Sequence, residues 1–89
     1  MSYDYSKERS FVFTEKGQVT FLQVRDHVGS LLKSAGAFQM ENALQGITGG
    51  YVSWEAMACV DRLLELREIQ EVSQPGCAGQ YRTFTRSLR

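Results

Sequence analysis

Few side chains in this sequence are of the types that do covalent or metal chemistry, and their spacing keeps them apart. The cysteines are Cys59 and Cys77, and neither has a Cys or His close to it in sequence, so the paired spacing of a four-ligand zinc site is absent. Any Ser-His-Asp or Cys-His arrangement would have to recruit the single histidine, His27. It stands beside Asp26 on the polar face of a helical pattern and reads as a surface histidine. Cys77 lies in a loop with no basic neighbour to lower its thiolate pKa and reads as an idle thiol; Cys59 reads as packed against the second helix. The glycine-rich run Gly46-Ile47-Thr48-Gly49-Gly50 lacks the Lys-Ser/Thr of a phosphate loop and the GxGxxG spacing of a dinucleotide turn, so it reads as a turn between helices. No catalytic residue, no metal and no cofactor are expected, and the chain is not expected to be an enzyme.

What remains is chemistry of recognition. Between positions 53 and 71 stand five acids (Glu55, Asp61, Glu65, Glu68, Glu71) and two bases (Arg62, Arg67). After Glu71 no acid follows, while Arg82, Arg86 and Arg89 supply positive charge. Trp54 is either a partly buried lid on the preceding helix or an exposed anchor beside Met57, making a small apolar patch of the kind protein interfaces use.

These residues must be positioned by a chain of 89 residues, which is one domain's worth of polypeptide. Apolar residues make up 43% and charged residues 22%, an ordinary globular composition. Lys+Arg and Asp+Glu number 10 each, which argues against a polybasic nucleic-acid coat or a membrane-surface peptide. No stretch approaches the roughly 20 apolar residues of a membrane span. The polar start MSYDYSKERS is not that of a signal peptide, so a soluble cytoplasmic protein with no membrane partner is expected.

Residues 1–10 carry no periodicity and read as a flexible N-terminal tail, with the domain over 11–89. Phe11-Val12-Phe13-Thr14 is β-prone and reads as a short strand closed by a turn at Glu15–Gln18. Thr20 as N-cap with Gln23 three residues on opens the first helix. Its apolar stripe is Phe21, Val24, Val28, Leu31, Leu32 and Ala35, its wet face is Gln23, Asp26, His27, Ser30 and Lys33, and Gly36 stops it. Gly29 inside this helix costs about 1 kcal/mol relative to Ala. It is either a tolerated weakness or a place where another helix, from this chain or a second protomer, comes close. Met40, Ala43, Leu44 and Ile47 predict a second helix over 38–46. Ser53 as N-cap, Glu55 in the first turn and a core stripe of Ala56, Val60, Leu63 and Leu64 predict a third helix to about residue 66. Its outward face then carries Trp54, Glu55, Met57, Ala58, Asp61, Arg62 and Glu65. Ile69–Val72 and Tyr81–Thr85 read as strands of a hairpin around the loop Gln74–Gly79.

Three helices followed by a β-hairpin, an α+β order, resemble a winged helix-turn-helix domain. The resemblance is closest over 51–86. Leu63 leads to Ile69 within Arg62-Leu63-Leu64-Glu65-Leu66-Arg67-Glu68-Ile69 as such domains pass from third helix to first wing strand. Tyr81-Arg82-Thr83-Phe84 resembles the return strand of the wing, and Glu41–Ile47 resembles the second helix. Two features depart from the pattern: Arg67-Glu68 replaces the usual glycine before the wing, and the turn at Thr48–Tyr51 is long. The resemblance implies a double-stranded-DNA-binding transcriptional regulator acting as a homodimer, with the third helix in the major groove. Ser53, Trp54, Glu55, Ala58 and Arg62 would then lie at or near base edges. Arg82 and Arg86 would lie on phosphates, aided by Arg25 and Lys33. The net −3 of segment 53–71 is a poor surface to lay along phosphates. It supports a second expectation, a winged-helix module that docks on a protein partner through the acidic and apolar face of its third helix and does not bind DNA.

Overall fold

Helices begin where short polar side chains can satisfy their first free N–H groups. The computed structural model, which describes residues 2–47 and 53–87, shows three such starts. Asp4 caps α1 (Tyr5–Val12) by accepting from Ser6 N, Thr14 caps α2 (Glu15–Ala35) by accepting from Gly17 N, and Ser53 caps the later helix α4 (Trp54–Glu65) by accepting from Ala56 N.

The first two starts differ from the sequence expectation. Residues 5–12 form α1 where a tail and then a strand at Phe11–Thr14 are expected. Val12 is fully buried and α1 lies along α4, so packing rather than local periodicity orders it. α2 is capped six residues before Thr20, whose hydroxyl instead donates to the Lys16 carbonyl at 3.1 Å inside the helix. The junction needs Gly17: a Cβ there would sit 1.7 Å from the Phe11 carbonyl oxygen. Gly36 ends α2 in the left-handed region, at φ 78°, as expected.

A short strand, β1 (Ala37–Gln39), follows, and the second helix is only α3 (Met40–Leu44). Phe38 is drawn into extended backbone because its ring is buried against Phe84, with centroids 5.3 Å apart. That contact is invisible to local periodicity. The turn expected at Thr48–Tyr51 lies outside the described residues. α4 leads through Arg67 into β2 (Ile69–Glu71); a single 3-10 turn at Gly79–Tyr81 precedes β3 (Thr83–Arg86). Arg67 sits at φ 61°, the conformation a glycine would take at this turn.

The result is an α+β fold of four helices and a three-stranded antiparallel sheet among the described residues, in the order β1-β3-β2. Ile69 pairs with Arg86, Gln70 with Thr85 and Glu71 with Phe84; on the other edge Phe38 pairs with Phe84. The core is continuous across the helical and sheet layers, from Val24 and Val28 through Val60 and Leu63 to Ile69 and Phe84. Among the described residues no helix is long and apolar enough to cross a membrane.

Candidate functional site

α4 is buried on two sides, and this decides which of its side chains are available. Ala56, Val60 and Leu63 point to the core as their spacing predicts. Met57, Ala58 and Asp61, expected on the outward face, are buried as well. The chain that covers this face comes from both ends of the sequence. Tyr3 donates to Asp61 Oδ2 at 2.6 Å and Tyr5 donates to Glu65 Oε1 at 2.7 Å. Arg9 pairs with Glu65 at 3.0 Å. On the other flank the turn at Gly79 lies against Met57, whose Cε is 3.4 Å from where a side chain at 79 would begin.

The seven residues named for nucleic-acid contact therefore separate. Ser53 is half-buried and committed to capping. Trp54, 37% exposed, and Glu55 stand in solvent beside it at the N-terminus of α4. Ala58 is 0% exposed and has no surface to offer a base edge. Arg62 donates to Glu65 at 2.8 Å, and its guanidinium lies 5.0 Å from the centre of the Phe13 ring. Arg86 is exposed near the start of β2, opposite Ile69.

Arg82 is the centre of a clamp. Its guanidinium donates to both oxygens of Asp61, at 3.2 and 2.9 Å, and to both oxygens of Glu71, at 3.0 and 2.9 Å. Its side chain is 18% exposed and that of Asp61 7%. Hydrogen bonding to Glu71, then to Asp61, raises the Arg82 pKa beyond its already high value, against the opposing effect of burial. The same contact holds the Glu71 carboxyl below its usual range. Burial, and then donation to Asp61, raises the Tyr3 phenol. Paired forks of this kind are short and strong because both partners are charged, and in the Asp61 fork neither partner faces bulk water. The clamp joins the N-terminal segment, α4, β2 and the residue that leads into β3.

Sequence reasoning missed Tyr3, Tyr5, Arg9 and Phe13 as partners of α4. A signal was present: Tyr3, Tyr5, Phe11 and Phe13 give the first thirteen residues four aromatics, too many for a solvated tail.

The remaining polar groups are structural. His27 is half-buried, not on a free surface; its Nε2 lies 2.9 Å from the Asn42 carbonyl oxygen, so this nitrogen carries the proton and ties α2 to α3. Burial, with the Glu55 charge, pushes the Cys59 thiol up to about 12; Cys77 is exposed. Among the described residues no three His, Cys, Asp or Glu side chains are grouped to hold a metal.

What the α4 N-terminus and the hairpin loop do present is apolar and slightly acidic. Val72 is 49% and Tyr81 47% exposed at the two ends of the loop. From Gln39 to Val60 the charged residues are Glu41 and Glu55, and from Val72 to Tyr81 there are none. No family model, curated protein or solved structure matches this chain.

Proposed function

We propose that this domain is a winged helix-turn-helix module that works by holding another protein and not by reading duplex DNA. Support for the winged-helix reading comes from element order. α2, α3 and α4 follow the resemblance's three helices, β1 falls between the first two, and β2 and β3 pair antiparallel around an eleven-residue connection, residues 72–82. α1 is an addition that lies over the face of α4 on which the DNA reading depends.

One observation carries the choice between protein and DNA. Arg82, one of the two cations the hairpin would lend to phosphates, is held by Asp61 and Glu71, which leaves Arg86 alone exposed for that role. Freeing Arg82 would leave a buried carboxylate unpaired, a cost of several kcal/mol. Phosphate contacts supply most non-specific affinity for DNA. Exposed Trp54 and Glu55 at the α4 N-terminus, and exposed Val72 and Tyr81 at the ends of the hairpin loop, suit a partner segment with an apolar anchor and a basic flank.

A labelled generic duplex titrated with the protein at about 50 mM salt gives no anisotropy change up to about 10⁻⁴ M. Selection against a random peptide library returns apolar-basic sequences whose binding is lost in Trp54→Ala. Saturable duplex binding with NMR shifts over 53–62 and 81–86 would restore the DNA reading.

A further inference from the structure

Carboxylates take up the arginines of this fold, with an exception beside a groove. Arg9 and Arg62 pair with Glu65, Arg25 with Glu68, and Arg82 with Asp61 and Glu71. Among the described residues Arg86 enters no ion pair. It is exposed at the end of β3 and stands opposite Ile69, so the two side chains leave the same face of the sheet. That face borders a groove of about 540 Å³ between α2, Leu63 of α4 and the start of β2. Val28, Leu63 and Ile69 are its buried floor, and Leu22 and Leu32 rise beside them on α2. Gly29 keeps the α2 wall open, since an added Cβ there would meet nothing within 4 Å.

We propose that this groove binds a small amphipathic monocarboxylate, a free acid with a linear apolar body. Its carboxylate pairs with Arg86 and its chain lies over Val28, Leu63 and Ile69. The volume falls in the range of about 300–1,000 Å³ usual for small-molecule sites, and the lining has the usual form, an apolar floor with a few polar groups. The charges on the lining select the head group. Arg25 and Glu68 satisfy each other through two hydrogen bonds, at 3.1 and 3.0 Å, and have little charge to lend a ligand. Arg86 is then the cation left for an anion, and its planar fork matches a carboxylate oxygen for oxygen. Asp26, exposed on α2, also lines the groove and enters no ion pair among the described residues. With Glu68 it opposes a second negative charge, so a phosphate dianion or a dicarboxylate is disfavoured. The site uses no residue of the α4 N-terminus or the hairpin loop, so it stands or falls independently of the protein-docking reading.

An NMR amide-shift titration of the full chain with sodium octanoate, to about 10 mM, tests it. Saturable shifts are expected at Leu22, Gly29, Ile69 and Arg86 with a Kd of about 1 mM or below, while Trp54 and Tyr81 stay unmoved. Each methylene from hexanoate to decanoate tightens binding by up to about fourfold. Uncharged octanol and the dianion octanedioate each bind at least about tenfold more weakly than octanoate. Arg86→Gln, at an exposed position, weakens octanoate at least about tenfold while the far-UV CD spectrum is kept. Gly29→Leu, whose side chain enters open space, abolishes binding without lowering the thermal midpoint. Asp26→Asn binds as tightly as wild type or more so. Shifts that do not saturate, a Kd insensitive to Arg86→Gln, or octanol binding as tightly as octanoate would overturn the proposal. A short peptide ending in leucine with a free carboxylate, if it bound more tightly than decanoate, would overturn it in favour of a chain terminus.

Discussion

Asp61 shows how one residue can change meaning between sequence and structure. On a helical wheel it faces outward and is available to accept from a base. In the folded chain it accepts from Tyr3 and twice from Arg82, with 7% of its side chain exposed. Asp61→Ala should therefore lower stability by about 3 kcal/mol, seen as an earlier urea midpoint, because Arg82 and Tyr3 lose a buried partner. Arg25→Ala, by contrast, breaks a half-exposed pair with Glu68 and should cost about 1 kcal/mol or less. The neighbouring carboxylate sets a pH dependence. Hydrogen bonds from Tyr5, Arg62 and Arg9 hold the Glu65 carboxyl down to about 2 from its ordinary 4.5. A depressed acid stabilises the fold fully above its unfolded value, so this contribution is lost as pH falls from about 4.5 toward 2. Glu71 moves the same way. At the other limb, burial pushes the Tyr5 phenol from 10.0, and the Cys59 thiol from 9.0, up to about 12 each. Raised neutral acids stabilise below their unfolded values and lose that contribution as pH rises from about 9 to about 12. Urea midpoints across pH should show a plateau between these limbs, with the acid limb shallower in Glu65→Gln.

At the scale of elements, two glycines of α2 make opposite predictions. Gly17 sits where α2 turns back on the end of α1, and a Cβ there would overlap the Phe11 carbonyl at 1.7 Å. Gly17→Ala should cost about 3 kcal/mol, since only a backbone shift relieves the clash. Gly29 is mid-helix with open space around its Cβ direction. Gly29→Ala should raise thermal stability by about 0.5–1 kcal/mol when measured in dilute solution. Calorimetry on both variants checks the pair. The sequence made Gly29 conspicuous as a glycine inside a predicted helix. It gave no notice of Gly17, whose constraint is the position of a carbonyl in another helix. Helix starts show the same division: Ser53 was legible as a cap, whereas Thr20 was a plausible cap outranked by Thr14 once α1 fixed the direction of entry.

For the whole molecule, the N-terminal helix is part of the cooperative unit. Val12 lies in the core and the Tyr3–Asp61–Arg82–Glu71 chain of contacts crosses the fold from its first residues to the hairpin. Unfolding followed by Trp54 fluorescence and by far-UV CD should give coincident transitions. An early CD phase without a fluorescence change would mean that α1 melts alone. Ellman's reagent should titrate Cys77 in the native protein and Cys59 only on unfolding, in keeping with their exposure.

Periodicity and capping chemistry, which are local, were enough to place the α4 start, the stop at Gly36, the inward stripe of Ala56, Val60 and Leu63, and the pairing of the two C-terminal strands. They were also enough to show a third-helix region poor in positive charge. Three things depended on residues far apart in the chain: the strand at Phe38, formed because its ring meets Phe84; the helix at Tyr5–Val12, formed because α4 offers it a surface; and the sequestering of Arg82 by Asp61 and Glu71. Each rests on burial and on charge pairing between distant segments. Neither quantity exists until the chain has folded, so only the tertiary structure could decide which side chains are left to meet a partner.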